Sequence, residues 1–276
     1  MISRNGKQFQ IIPAHIGLRK YVQYFNICFP DKDSFSDGYT LLPNACGTIS
    51  LAFDGAGVKA ELWGAPLGAY TLGAEPNGYQ VLVLIKLTHV GLFQLTRQDQ
   101  AEFADKRIGL EDSDPKLYRE LADAFLYSDS VEDMVASCEK AMYRRMEQEV
   151  VSDAVINVIS VMGHNHGMMR VTEVANEAGY CERHLNRLLQ RQVGMSVKQY
   201  LKLTRLNYVL RNIQLSPLLF SALSQKAGFF DQAHMDKAFK KICGISPLEY
   251  RNNMSDFYYD GSEKVDMILY KKDGGF

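Results

Sequence analysis

Two stretches of the C-terminal half match each other at a shift of 49 to 50 residues, and this self-match constrains the fold more than any other feature of the chain. At a shift of 49, Ala178-Gly179-Tyr180 falls on Ala227-Gly228-Phe229. At a shift of 50, His184 falls on His234, Leu185 on Met235, Arg187 on Lys237 and Leu189 on Phe239. The same shift puts Gly194 on Gly244, Ser196 on Ser246 and Tyr200 on Tyr250. One additional residue between Phe229 and His234 accounts for the change of shift. Repetition of both residue type and order implies one supersecondary unit built twice.

Each copy reads as a short helix (171–178; 218–227) that stops at a glycine, the residue suited to the left-handed position after a helix. A tight turn and a second amphipathic helix follow (182–192; 232–241), ending at Gly194 or Gly244. Ser196-x-x-Gln199 and Ser246-Pro247-x-Glu249 then fit the capping box that opens a new helix. Helix, glycine turn and a second helix carrying basic residues is the helix-turn-helix pattern. A long helix, 197–212, joins the copies. Its apolar face is Tyr200, Leu203, Leu206 and Leu210, with Lys198, Lys202, Arg205 and Arg211 elsewhere.

The charge distribution agrees. The whole 276-residue chain has a net charge of −1, which by itself argues against nucleic acid as a partner. Residues 170–254, however, hold 13 basic and 6 acidic side chains, a net of +7, leaving the remainder with 18 basic and 26 acidic, a net of −8. A basic segment beside an acidic one points to a nucleic-acid-binding domain joined to something else.

The preceding sequence has another texture. Runs at 47–53, 58–63 and 79–87 are apolar-rich and separated by Asp54-Gly55, Ala65-Pro66 and Pro76-Asn77-Gly78. Val58 to Leu62 alternates like a half-buried strand, and Val81 to Ile85 is continuous like a strand covered on both faces. Short strands with regular turns suggest a barrel or sandwich. From Ser113-Asp114-Pro115 the pattern turns helical, and a second helix opens at Ser130 with Met134, Cys138, Ala141 and Met142 along one face. A third stripe, Val151 to Met162, ends at Gly163. The reading is α+β: a β-rich barrel- or sandwich-like sensor or dimerisation domain (1–112), a helical linker (113–150), an all-α domain with two helix-turn-helix units (151–254) and a tail (255–276) able to form a hairpin. The apolar face of the 130–146 helix makes it the candidate dimer contact.

Five scattered cysteines with no paired spacing suit reduced thiols in a cytosol. No apolar run nears the ~18 residues of a membrane span, and the first ten residues lack a signal-peptide core. The expectation is a cytoplasmic protein with no membrane association.

The segment from Val171 to Arg251 resembles the double helix-turn-helix domain of AraC/XylS-type transcription regulators. Ala227-Gly228-Phe229, Asp231-Gln232, His234, Lys237-x-Phe239-Lys240-Lys241 and Gly244-Ile245-Ser246-Pro247-x-x-Tyr250-Arg251 carry the likeness. Leu42-Pro43-Asn44, Gly47, Gly91 and Ala101-Glu102-Phe103 are similar to one sensor subfamily. The chain departs from the pattern at Cys181, a poor N-cap where Ser is usual, and at Phe230, where a small polar residue is common. That leaves Asp231 as the cap, and Leu223-Ser224 puts a hydroxyl at a helix crossing.

The resemblance implies double-stranded DNA as partner, activation of transcription through RNA polymerase, a homodimer, and a small-molecule effector in the N-terminal domain. It matches Arg183, Asn186, Arg187, Gln232, Ala233, Asp236 and Lys237 to positions that meet bases or the adjoining backbone, and Gln190 shares their outward helical face. Arg pairs with guanine, and Asn and Gln with adenine. Lys202, Arg205, Lys240, Lys241 and Arg251 are placed for phosphates, which give affinity without sequence information. Trp63, Tyr70, Tyr79 and Phe93 are candidate effector-pocket residues that could equally be core.

No cofactor or metal site is expected. His164-Asn165-His166 between two glycines offers two imidazoles without a third ligand, and a polar inter-helix loop is the better reading. His184 and His234 share one slot of the repeat, which favours packing, and Cys28 and Cys46 read as buried structural thiols. An enzyme reading, such as a DNA-directed alkyl acceptor, wants a metal-activated cysteine cluster that the sequence lacks, so no enzymatic activity is expected. A constitutive DNA-binding regulator whose N-terminal half only mediates protein contacts stays open as the alternative.

Overall fold

The computed structural model describes residues 9–215, 218–252 and 269–270, and the hairpin expected in the tail lies almost wholly outside them. The N-terminal strands are β1 (Phe9–Pro13), β2 (Val22–Cys28), β3 (Thr40–Leu41), β4 (Thr48–Phe53), β5 (Val58–Trp63), β6 (Tyr70–Thr71), β7 (Val81–Leu87) and β8 (Arg107–Gly109). Six of them form one antiparallel sheet in the order β1-β2-β7-β4-β5-β8. β3 pairs with β6 and with a short β9 (Leu269–Tyr270) in a second, small sheet.

Strand alternation assigns the two faces of the large sheet. Val81, Val83, Ile85 and Leu87 of β7 point to the main core, while Leu82 joins a smaller cluster with Cys28, Phe35, Tyr39 and Ala52 on the opposite face. Register then lines Asn26, Leu84, Ser50 and Glu61 across that second face, with Lys86, Thr48, Trp63 and Arg107 in the next row. The continuous apolar run of β7 is thus covered on both sides, as its sequence implies.

Helices α1 (Gly91–Thr96), α2 (Leu110–Ser113), α3 (Pro115–Tyr127) and α4 (Val131–Met146) cover the main face. Asp114 and Ser130 cap α3 and α4, accepting from the N–H of Leu117 and Asp133 at 3.0 Å each. The apolar face of α4 that suggested a dimer contact is covered within the chain: Met134, Cys138, Ala141 and Met142 are buried in the core shared with α3. That stripe therefore no longer argues for a dimer; an intramolecular partner satisfies it.

The helical half comprises α5 (Asp153–His164), α6 (Val171–Glu177), α7 (Glu182–Val193), α8 (Val197–Leu215), α9 (Phe220–Lys226), α10 (Gln232–Cys243) and α11 (Pro247–Asn252). One apolar core runs from the sheet through α3 and α4 into this half. The connector from α4 to α5 is held by buried Gln94, which donates to the carbonyls of Met146 (3.0 Å) and Gln148 (2.8 Å) and accepts from Val150 N–H.

Candidate nucleic-acid interface

The two repeats fold alike, down to the hydrogen bonds of their turns. Gly179 (φ 68°) and Gly228 (φ 70°) take the left-handed position after α6 and α9. Tyr180 N–H reaches the Ala175 carbonyl at 3.0 Å, and Phe229 N–H reaches that of Ser224 at 2.9 Å, closing the same helix-terminating loop twice. The second helices end in left-handed caps at Gly194 and Gly244, and both capping boxes form. Cys181 makes no side-chain cap to α7, whereas Asp231 accepts from His234 N–H at 2.7 Å, as their chemistry predicts. Ser224 is buried, and its hydroxyl bonds back to the Ser221 carbonyl.

Leu185 and Leu189 of α7, and Met235 and Phe239 of α10, are fully buried. His184 packs on Tyr180 (4.8 Å between centroids) and His234 on Phe229 (5.4 Å), which gives the shared histidine slot a packing role. Facing outward, Arg183, Arg187, Gln190, Gln232, Ala233 and Lys237 are exposed on α7 and α10. Asp236 is half-buried and holds the Gln232 amide at 3.5 Å. Asn186 is engaged inside its unit: its amide donates to the Glu182 carbonyl, and its oxygen accepts from Val197 N–H at 3.0 Å, bracing the start of α8.

Two of the five residues expected at phosphates are engaged within the chain. Arg205 is half-buried, donates to the Gly167 carbonyl at 2.9 Å and lies 5.6 Å from the Phe229 ring. Burial lowers its pKa from the usual value. Arg251 donates to the Leu218 carbonyl at 2.9 Å and stacks 3.9 Å from the Phe220 ring. Each tethers a loop carbonyl through one Nη2–H, which gives both guanidiniums a structural task inside the chain. Lys202, Lys240 and Lys241 are exposed.

The β-domain meets both units at the C-terminal ends of their second helices, away from the outward N-terminal turns. Gly194 lies so close to the Gln100 carbonyl that a Cβ there would stand 2.8 Å from it. Arg191 lies 5.9 Å from the Phe93 ring, and Ala69 N–H donates to the Ile242 carbonyl at 3.0 Å. Phe93 is accordingly core and interface, not effector pocket.

Between the helix-free face of the large sheet and the β3–β6 pair lie two adjoining cavities of about 40 and 290 Å³. Trp63, Leu41, Leu84 and Arg107 line both; Tyr79 lines the smaller and Tyr70 the larger. Tyr39 and Asn26, also lining the smaller, each carry a buried oxygen with no hydrogen-bond partner. Lys86, 2% exposed, lines the larger and donates to Asn44 Oδ1 (3.1 Å) and Thr48 Oγ1 (3.2 Å). Sequence reasoning passed over Lys86, although a lysine inside a doubly covered strand was the available signal. Arg107 bonds Glu61 at 2.6 Å beneath Trp63. Burial would lower the guanidinium pKa, but Glu61, Tyr70 and Glu75 outweigh it and the net shift is upward. His164 Nδ1 is taken by the Ser160 carbonyl and His166 stacks on Tyr208, so the two imidazoles serve the loop.

Residues 174–253 match the helix-turn-helix domain family. They form a helix-turn-helix domain of the AraC type. The transcriptional activator AarP of Providencia stuartii is 27% identical over 119 residues, covering 43% of this chain and 87% of that protein. The activator RhaR of Salmonella arizonae is 34% identical over 77 residues, 27% of each chain. Among solved structures, ToxT from Vibrio cholerae O395 is similar over 89% of this chain and 97% of its own, at 11% identity and a TM-score of 0.41. The C-terminal domain of AraT from Geobacillus stearothermophilus aligns over 42% of this chain and 98% of its own, at 21% identity and a TM-score of 0.37. The helix-turn-helix domain thus accounts for the basic segment.

Proposed function

We propose that this chain is a transcription regulator, an activator, that binds a specific duplex sequence through α7 and α10 and is controlled by a small molecule held in the β-domain cavity. The observation that carries the DNA reading is the doubled unit, with exposed N-terminal faces on both second helices, cationic at Arg183 and Arg187 in α7 and at Lys237 in α10, and the β-domain at their other ends. Arg183, Arg187, Gln190, Gln232, Ala233 and Lys237 meet base edges or the adjoining backbone; Lys202, Lys240 and Lys241 meet phosphates. Asn186 and Asp236 act mainly by bracing their helices. α8, with 19 residues, spans about 28 Å. That is near the 34 Å pitch of DNA, so one chain covers two successive major grooves.

The cavity of about 290 Å³ supports the effector reading, because Gly68 and Ala69 line it and Ala69 also holds α10. A ligand acts there only by binding two arrangements of the domains with different affinity. Selection of duplexes from a random pool by the full-length protein, followed by footprinting, tests the DNA reading. Thermal-shift screening against metabolites tests the effector: a saturable shift with altered DNA affinity supports it, and its absence favours a constitutive regulator. No described helix is long and apolar enough to cross a membrane.

A further inference from the structure

We propose that Phe230 is a specificity-determining residue whose ring packs on a thymine methyl group in the major groove and so sets the base preference at one position of the site; this rests on the DNA-binding reading above. Phe230 is 90% exposed, the largest exposure among the large apolar side chains of the described residues. It falls in the turn that is one residue longer in the second unit than in the first: three positions separate Gly179 from the start of α7 at Glu182, and four separate Gly228 from the start of α10 at Gln232. Phe229 turns inward, against Arg205 and His234, and Asp231 is fixed as the cap of α10. The ring between them is therefore held out at the N-terminal entry of the second recognition helix, the end that such helices present to base edges.

Its surroundings select the partner. Lys226 before the turn and Lys237 after it are exposed cations, and Gln232 and Ala233 are the exposed side chains that follow. With Phe229 turned inward and Asp231 following it, the ring is not part of a run of exposed large apolar side chains of the kind found at the centre of a protein–protein interface. The major groove, by contrast, offers one apolar group, the C5 methyl of thymine, amid donors, acceptors and flanking phosphates.

The test uses full-length protein and its selected duplex, with each thymine replaced in turn by deoxyuridine. Removal of one methyl under the second unit should weaken binding by about 4-fold, the size expected for one buried methylene-sized group. Phe230→Ser should lose a similar factor on the thymine duplex and become indifferent to that replacement, while Phe230→Leu keeps the dependence. Melting curves of both variants should match the native protein, since the ring is exposed. A Phe230→Ser protein that retains the methyl dependence overturns the proposal. So does a site at which no thymine methyl matters, or a variant defective only in binding a protein partner. A native protein that selects no sequence overturns the DNA-binding reading and this proposal with it.

Discussion

Ala69 N–H donates to the carbonyl of Ile242 across 3.0 Å, joining the loop that lines the larger cavity to the last turn of α10. Ile242 is in the final turn of the helix whose first turn carries Gln232 and Ala233, so under the proposed function a ligand that moves this loop should also shift α10. Ala69→Pro removes the donor. The first half-site should be unchanged and the second less protected, with a loss of ~1 kcal/mol in DNA affinity. Footprinting of the variant beside the native protein measures both; equal weakening of the two halves would contradict this coupling.

Arg205 and Lys240 should fail in different ways. Arg205→Ala leaves the Gly167 carbonyl without its cationic donor and should lower stability by ~1–2 kcal/mol. Its slope of binding against salt should stay close to native. Lys240→Ala should leave melting unmoved and reduce the salt slope by about 1. Calorimetry and a salt titration on each variant separate the roles; a reduced slope for Arg205→Ala would restore it to the phosphate-binding set.

Cys181 occupies an N-cap position with extended backbone (φ −72°, ψ 150°) and no side-chain cap. Cys181→Ser supplies the missing acceptor and should stabilise the protein by ~0.5–1 kcal/mol, whereas Asp231→Ala, which removes an existing cap, should cost about 1 kcal/mol. Opposite shifts in melting temperature are the expected result, and a destabilised Cys181→Ser would show that the thiol has a role beyond its position.

Burial raises the pKa of Glu61, but Arg107 and Lys59 outweigh it, and the net shift is downward from the usual carboxylate value. A carboxylate whose native pKa is depressed stabilises the fold fully above its unfolded value and loses that contribution as pH falls through the native one. The native protein should therefore be more stable than Glu61→Gln by about 1 kcal/mol at neutral pH, with the difference shrinking in acid. Melting temperatures from neutral pH down to pH ~3 check the sign; a difference that does not change with pH would contradict it.

The helical half was largely legible because its signals are local. Gly179, Gly228, Gly194 and Gly244 mark turns, and Ser196, Ser246 and Asp231 mark starts; the repeat counts the glycines and serines twice, while Asp231 has only Cys181 opposite it. The intramolecular tethers of Arg205 and Arg251 are not legible, because a cation on an amphipathic helix looks alike whether it faces solvent or a carbonyl. Their partners, Gly167 and Leu218, lie 38 and 33 residues away. The cavity was less legible still, since β3 and β6 have two residues each and leave no periodicity to detect. Trp63, Tyr70 and Tyr79 reach that cavity while Phe93 goes to the core, a division set by tertiary packing that aromatic character alone does not encode.

One chain is expected to read two successive major grooves through α7 and α10. Hydroxyl-radical footprinting of the full-length protein on its selected duplex tests it most directly. Two protected patches should appear on one face, about 10 base pairs apart, with Arg187→Ala weakening specificity in one and Lys237→Ala in the other by ~1–3 kcal/mol. Protection confined to a single half-turn, or both variants binding the selected site with native affinity, would contradict it.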